Sequence, residues 1–406
     1  MKLLAKLPET HRTIVTLVHE TALRAGEEAF LVGGPVRDLL LDRATRDLDF
    51  CVTGSLDAIT DELSRNPGGT VQSNPRFLTA SIQTKSVRID LARQRKERYP
   101  TPGALPEVTR GDLVEDLQRR DFSVNAIAVD LKEGEILDPC NGMEDLERRL
   151  IRVLHRRSFL DDPTRIWRAI RFSVRLGFEI EAVTLKLMSD AIENDSLATL
   201  SFDRLRAELV HSIQEPLAGA TLCDLVKRGA MSPLFGSLDR DAALAAIGSA
   251  DRASQIAPGA DRLTLFVGAL AAGSSNHDAL SIRLSFPTKV MHDAFELFPR
   301  AHSIRDQITP TTGDRETLDL VSSDSPEVLA LIALAQPDPV SFHRRWSSYR
   351  HYNPGVRGDE LGLAPGPHIG HAIEQTKAAL FLGEIDDSDA ISFATNEALK
   401  YLGNQQ

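Results

Sequence analysis

Two aspartates one residue apart, Asp47 and Asp49, follow a Gly-Gly turn at Gly33-Gly34 in the run FLVGGPVRDLLLDRATRDLDF, residues 30 to 50. Carboxylates that close repel one another unless a cation lies between them, and hard divalent ions such as magnesium take oxygen ligands. A third candidate is Asp90 in SVRIDLA. Three carboxylates on adjacent strands can hold two metal ions about 4 Å apart, which serves both the attacking and the leaving oxygen in phosphoryl transfer. Gly33 and Gly34 allow backbone to approach a ligand closely, and Arg37 beside the free amides of a helix start favours an anionic phosphate. A phosphate seat beside a metal seat points to nucleotidyl transfer. Taken singly, neither motif is specific: aspartates at strand ends often cap turns, and most Gly-Gly pairs simply make them. Asp-x-Asp also occurs in metal-dependent glycosyltransferases.

The elements that must position these residues follow from periodicity. Phe30-Leu31-Val32 predicts a strand covered on both faces, Pro35 suits a first helical turn, and Val36, Leu39 and Leu40 share that helix's buried face. From Asp47 the period becomes two, so Asp47, Asp49 and Cys51 face one way while Leu48, Phe50 and Val52 face the other. Val87, Ile89 and Leu91 alternate with Arg88 and Asp90, which places Asp90 on the polar face of another strand. Strand-like runs at 29 to 32, 48 to 52, 77 to 83, 86 to 92, 124 to 131 and 135 to 138 alternate with helices, the mark of an α/β head. Beyond about residue 140 nearly everything reads as helix. The segment LARQRKERYPTPGALPEVTRGD, 91 to 112, is too charged for a core and rich in breakers, and reads as a mobile loop beside the carboxylates.

Asp162, Arg165, Arg168 and Arg171 recur every three residues, which on a helix makes a polar stripe while Ile166, Ala169 and Ile170 pack inward. Aspartate can accept from an amino group and arginine can donate to a ring nitrogen or carbonyl, so Asp162 with Arg165 can imitate a Watson-Crick edge for both C and A. Arg168 and Arg171 can instead serve phosphates. Outside such a context, an arginine-rich helix is most often a solvated face.

In five stretches the chain resembles the class II tRNA nucleotidyltransferases, the CCA-adding enzymes, together with the related bacterial poly(A) polymerases. They are LVGGPVRDLLLDRATRDLDF, RRDFSVNAIAVD at 119 to 130, DPCNGMEDLERRLIRVL at 138 to 154, SFLDDPTRIWRAIRFSVRLGF at 158 to 178, and SFDRLRAEL at 201 to 209. The resemblance implies an α/β nucleotidyltransferase head of polymerase-β-like fold over residues 1–145. An all-α neck at 146–225 would read the base, followed by a body at 226–340 and a tail at 341–406 that contacts tRNA. It makes Asp47 and Asp49 metal ligands for two magnesium ions, with Asp90 the third catalytic carboxylate. Gly33, Gly34, Arg37 and Arg120 would contact the incoming nucleotide, with Asp121 near its ribose. Asp162, Arg165, Arg168 and Arg171 would line the base-reading helix. The family usually shows Glu-Asp-x-x-Arg there; this chain has Asp161-Asp162-x-x-Arg165. The implied reaction adds CCA to the tRNA 3′ end from CTP and ATP. Addition of CC or A alone and poly(A) synthesis are the near alternatives, and a glycosyltransferase or a noncatalytic RNA-binding module the distant ones. In CCA-adding relatives a flexible loop at the place of 91 to 112 assists the switch from CTP to ATP, so its presence favours full CCA addition.

Charge argues against a protein that coats nucleic acid through overall attraction: 47 Lys and Arg against 58 Asp and Glu give −11. Local patches can still bind RNA. RRLIRVLHRR at 148 to 157 is strongly basic, and HRRWSSYRHYNPGVR at 343 to 357 interleaves arginines with aromatics, although Trp346, Tyr349 and Tyr352 at three-residue spacing fit a helix's core face better. Three cysteines far apart show no paired metal spacing, no run is long enough to cross a membrane, and the N-terminal MKLLAKLPETHRTIV lacks the apolar core of a signal peptide. A cytoplasmic protein is the expectation. His277-Asp278 and His292-Asp293 lack the further ligands of a hydrolase metal site and read as surface residues. Protein partners are not legible.

Overall fold

A computed structural model describes residues 2–404. They form two compact units, Met1–Leu234 and Phe235–Gln406.

The first unit is built on a seven-stranded mixed sheet. Its strands are β1 (Ala29–Val32), β2 (Asp47–Val52), β3 (Thr70–Asn74), β4 (Thr79–Gln83), β5 (Arg88–Arg93), β8 (Ala128–Asp130) and β9 (Ile136–Leu137), in the order β3-β4-β5-β2-β1-β8-β9. The all-apolar β1 is buried at every residue, as expected of a strand covered on both faces. It pairs antiparallel with β2 and β8, while β2 pairs parallel with β5. That parallel register sets Asp49 directly opposite Asp90 and Asp47 opposite Arg88. One slip of register would turn every one of these carboxylates to the other face. The alternation of β2 holds it in place, because Leu48, Phe50 and Val52 are all fully buried.

Helices α1 (Glu9–Arg24), α2 (Gly34–Leu40) and α3 (Asp57–Leu63) accompany the sheet, and α4 (Leu113–Gln118) starts in a reciprocal capping box between Asp112 and Glu115. Then come α5 (Gly142–Arg148), α6 (Ser158–Asp161), α7 (Thr164–Leu176), α8 (Ala182–Glu193), α9 (Phe202–Gln214) and α10 (Ala218–Lys227). Helix α7 buries Ile166, Trp167, Ala169 and Ile170 completely, and stops at Gly177, whose φ of +69° gives the left-handed turn that ends it. It packs against α9 and α10.

Four expectations need correction. The segment 91 to 112 is no simple loop: Arg95–Arg98 and Glu107–Arg110 form strands β6 and β7, an antiparallel pair. Its alternating inward positions carry Arg95 and Glu97, which satisfy each other as an ion pair at 3.2 Å and so imitate a core position with charge. The strand β3, TVQSN, escaped notice because it is mostly exposed and carries no apolar alternation. At 77 to 83 the strand begins only at Thr79, after a short turn at Pro75–Phe77 and a left-handed Leu78. At 124 to 131 a helical turn occupies Ser123–Asn125, so the strand is confined to Ala128–Asp130.

The second unit is helical apart from an isolated bridge between Leu238 and Ser274. Trp346 and Tyr349 are buried, and with Tyr352 they gather round Phe381 at centroid distances of 6.1, 5.1 and 5.5 Å. Their three-residue spacing therefore marks a core face, beside the cluster of Val356, Leu361, Ala372 and Ala394. His277 and His292 are exposed, as expected. Among the described residues no helix is long and apolar enough to cross a membrane.

Candidate active site

A polar cavity of about 770 Å³ lies within the first unit, walled by the ends of β2 and β5, by α2, and by α7 and α9. Of the residues singled out in the sequence, Gly34, Arg37, Asp47, Asp49, Asp90, Arg120, Asp121, Asp162, Arg165, Arg168 and Arg171 all line it. Gly33 stands just behind. Its φ is +74°, which favours glycine, and a β-carbon there would lie 2.7 Å from Nη1 of Arg120 and displace the end of that side chain. At Gly34, by contrast, a β-carbon would meet only Arg37, at 3.6 Å.

The acidic wall is set by the strands. Asp47 is exposed at the start of β2, and Asp49 and Asp90 are partly covered. Burial pushes the Asp49 carboxyl up to about 6; Arg120 opposes the shift, while Asp90 and Asp47 add to it. Oxygen donors of one sign, one of them held against its own ionisation, fit a hard divalent cation better than any other occupant. Among the described residues no three acidic, histidine or cysteine side chains converge as a finished metal cage. The Asp90 carboxylate meets Arg88 at 3.0 Å and accepts from the Ser81 hydroxyl.

Opposite the acids stands a chain of buried charge. Arg37 donates to Asp38 at 2.8 and 2.9 Å and to Asn125 at 2.5 Å, so the donors expected to meet a phosphate are held by the protein. Asn125 in turn donates to Oδ1 of Asp121 at 3.0 Å, which also accepts from the Phe122 amide. Oδ2 of Asp121 takes two bonds from Arg168, at 2.9 and 2.7 Å. Burial alone would raise this carboxyl, yet Arg168 and Asn125 outweigh it and hold the group down at about 2. The chain continues from Arg171 to Glu208 at 3.0 Å and to Glu215 at 3.7 Å, then from Glu215 to Arg175 at 3.6 Å, and closes from Arg175 to Asp38 at 3.7 Å. Phe172 sits at its centre, with the guanidinium carbons of Arg37, Arg168 and Arg171 at 5.2, 5.3 and 5.5 Å from its ring.

The polar stripe on α7 faces inward, with Arg165 and Arg171 buried, and is not the solvated face that an arginine-rich helix most often makes. Arg165 donates to the Ser158 hydroxyl and the Arg119 carbonyl. Asp162 is not on the helix but in the extended residue before Pro163, where its Oδ1 accepts from the Thr164 amide and hydroxyl and from Arg204. Asp161 points elsewhere, toward Arg157 at 3.3 Å and His155. Arg120 donates, among the described residues, only to Asp116, at 3.1 Å, which leaves most of its donors open.

Sequence reasoning missed Asp116, Asn125, Glu208 and Arg204. Asp116 is fully buried and takes both Arg119 and Arg120. Its mark was the i, i+3 and i, i+4 spacing to those arginines. Glu208 and Arg204 share a helix face in RLRAEL, four residues apart, but nothing local pairs them with α7.

The poly(A) polymerase head domain family matches residues 29–152. An A-adding tRNA nucleotidyltransferase of Aquifex aeolicus is 40% identical over 190 residues, covering 46% of this chain and 23% of that protein. A multifunctional CCA protein of Xylella fastidiosa is 32% identical over 294 residues, covering 67% of this chain and 68% of the relative. The solved structure of the Thermotoga maritima CCA-adding enzyme complexed with tRNA superposes with a TM-score of 0.74 at 25% identity, over 99% of this chain and 98% of that one. The chain spans about half or less of the length of the first curated relatives it matches, and such relatives carry A-adding, CC-adding and CCA-adding names alike. With its carboxylate pair, its Arg-Arg-Asp turn and its inward arginine helix around one cavity, the chain belongs to the class II tRNA nucleotidyltransferase family, which shares its head with the poly(A) polymerases.

Proposed function

We propose that the protein adds C, C and A in turn to the 3′ end of tRNA, using CTP and ATP without a nucleic-acid template. The 3′-hydroxyl oxygen bonds to the α-phosphorus, the bond to the β-phosphate bridge breaks, and pyrophosphate leaves with that electron pair. The observation that carries this reading is the single cavity that joins Asp47, Asp49 and Asp90 on one wall to Asp162 and Arg165 on the other. Two magnesium ions held by Asp47, Asp49 and Asp90 would make the hydroxyl more acidic and offset charge on the leaving group.

The protein's own groups do the rest. Arg120, with donors open and Gly33 flush behind it, binds triphosphate oxygens. Asp121 has both oxygens filled, so it acts at the ribose through Arg168 and Asn125, which it orients. Oδ2 of Asp162 accepts from none of the described residues, and it takes the exocyclic amino group of cytosine or adenine. Arg165 donates to the ring nitrogen or carbonyl beside it. Among the described residues the cysteines at 51, 140 and 223 form no disulfide, which suits the reducing cytoplasm in which we place this reaction.

The test is nucleotide choice. Asp162→Ala and Arg165→Ala are expected to relax the preference for CTP and ATP over UTP and GTP about tenfold or more, since each good base contact discriminates by about 1–3 kcal/mol. An unchanged preference in both variants would place base reading elsewhere.

A further inference from the structure

Arg204, near the start of α9, does not line the cavity, yet it grips the residue assigned above to reading the base. Its Nη2 donates to Oδ1 of Asp162 at 2.7 Å and its Nη1 to the carbonyl of Gly103, also at 2.7 Å. Gly103 lies in the turn between β6 and β7. Its amide donates to the Leu160 carbonyl of α6 at 3.1 Å, its φ is +72°, and a β-carbon there would fall 1.9 Å from the Thr199 hydroxyl. The turn is therefore held at both the amide and the carbonyl of Gly103, and Arg204 spans from it to Asp162.

The bonding at Asp162 shows what this accomplishes. The Thr164 amide at 3.1 Å, the Thr164 hydroxyl at 2.6 Å and Arg204 at 2.7 Å all converge on Oδ1. Three donors on one oxygen fix the plane of the carboxylate and leave Oδ2 without a donor among the described residues, in a side chain that lines the cavity. Thr164 is the next residue but one and moves with Asp162. Arg204 comes from another helix and ties the carboxylate to the rest of the unit.

We propose that Arg204 is a positioning residue for base selection: it orients Asp162 with one oxygen presented to the incoming base, and it couples that orientation to the β6–β7 turn through Gly103. The inference rests on the nucleotidyl-transfer reading above. It predicts a selectivity defect, because a carboxylate free to rotate still accepts hydrogen bonds but no longer presents one oxygen at a fixed place.

The experiment measures kcat/KM for CTP, UTP, ATP and GTP separately, with tRNA ending before the first C and tRNA ending in CC, in wild type, Arg204→Ala, Arg204→Lys and Gly103→Ala. Circular dichroism establishes that each is folded. Arg204→Ala is expected to lower the CTP:UTP and ATP:GTP ratios about tenfold. Arg204→Lys keeps the charge but replaces the planar two-nitrogen fork by one ammonium nitrogen, which cannot meet Asp162 and Gly103 in the same geometry, and its ratios should fall about threefold, so it decides the matter by itself if the alanine variant does not fold. Gly103→Ala should move the ratios in the same direction. Wild-type ratios in either folded Arg204 variant, or an equal loss on all four nucleotides, would overturn the assignment. Wild-type ratios in Gly103→Ala alone would overturn the coupling to the turn. A wild-type protein that transfers no nucleotide would instead defeat the functional reading, and calorimetric affinities for CTP against UTP in the same variants would then judge Arg204.

Discussion

Asp121 organises its surroundings with every lone pair occupied, two donors on each oxygen. Held at about 2, well below an ordinary aspartate near 3.9, it contributes stability that is fully present above about pH 4 and lost as the pH falls toward 2. Asp121→Asn should therefore cost about 2 kcal/mol at pH 7, and the gap to wild type in urea unfolding should narrow by about 1 kcal/mol between pH 5 and pH 3. A gap that stays constant over that range would mean the ionised pair with Arg168 contributes nothing to folding. Asp49 carries the opposite signature, a carboxyl pushed up to about 6 by burial, so its charge costs the apo fold stability. Asp49→Ala should accordingly leave the thermal midpoint unchanged or raised while nucleotide addition drops by about a thousandfold or more, the loss falling on transition-state charge. Near-normal turnover with magnesium present would remove Asp49 from the reaction.

At the level of elements, α7 and the β6–β7 pair show what was legible and what was not. Strands β1, β2 and β5 were readable because Phe30, Leu31, Leu48, Phe50, Ile89 and Leu91 bury apolar side chains in plain runs or strict alternation. The inward turn of Arg168 and Arg171 was not legible because their counter-charges, Asp121 and Glu208, lie tens of residues away in sequence. The β6–β7 pair was hidden for the same reason, its inward Arg95 and Glu97 being neutralised by each other and by Arg119. Glu208→Ala would leave Arg171 buried beside only the more distant Glu215, and should destabilise the first unit by about 3 kcal/mol, read by urea unfolding. A change below about 0.5 kcal/mol, the range of an exposed pair, would show the charge chain to be slack. Replacing Arg95 to Arg98 by Gly-Ser frees Arg119 from Glu97 and unpairs β7; two C additions should persist and the addition of A stall. Completion of CCA at the original rate would deny the hairpin any part in the switch.

At the scale of the whole molecule, an excess of eleven acidic charges means that binding of a polyanion, as proposed above, has to be local. The cavity offers such a place, where arginines and acids line one space and Arg120 keeps donors not taken by the described residues. Similarity to solved CCA-adding enzymes runs along 99% of the chain, whereas the curated relatives divide among full, CC-only and A-only activities. The most direct measurement therefore follows single additions. The purified protein is incubated with magnesium and each nucleotide alone on tRNAs ending before the first C, after CC, and after CCA, and products are resolved to one nucleotide. Two additions from CTP are expected on the first tRNA, one from ATP on the second, none on the third, and no use of UTP or GTP. Long adenylate tails on the third tRNA, or no addition to any of them, would contradict the proposed function.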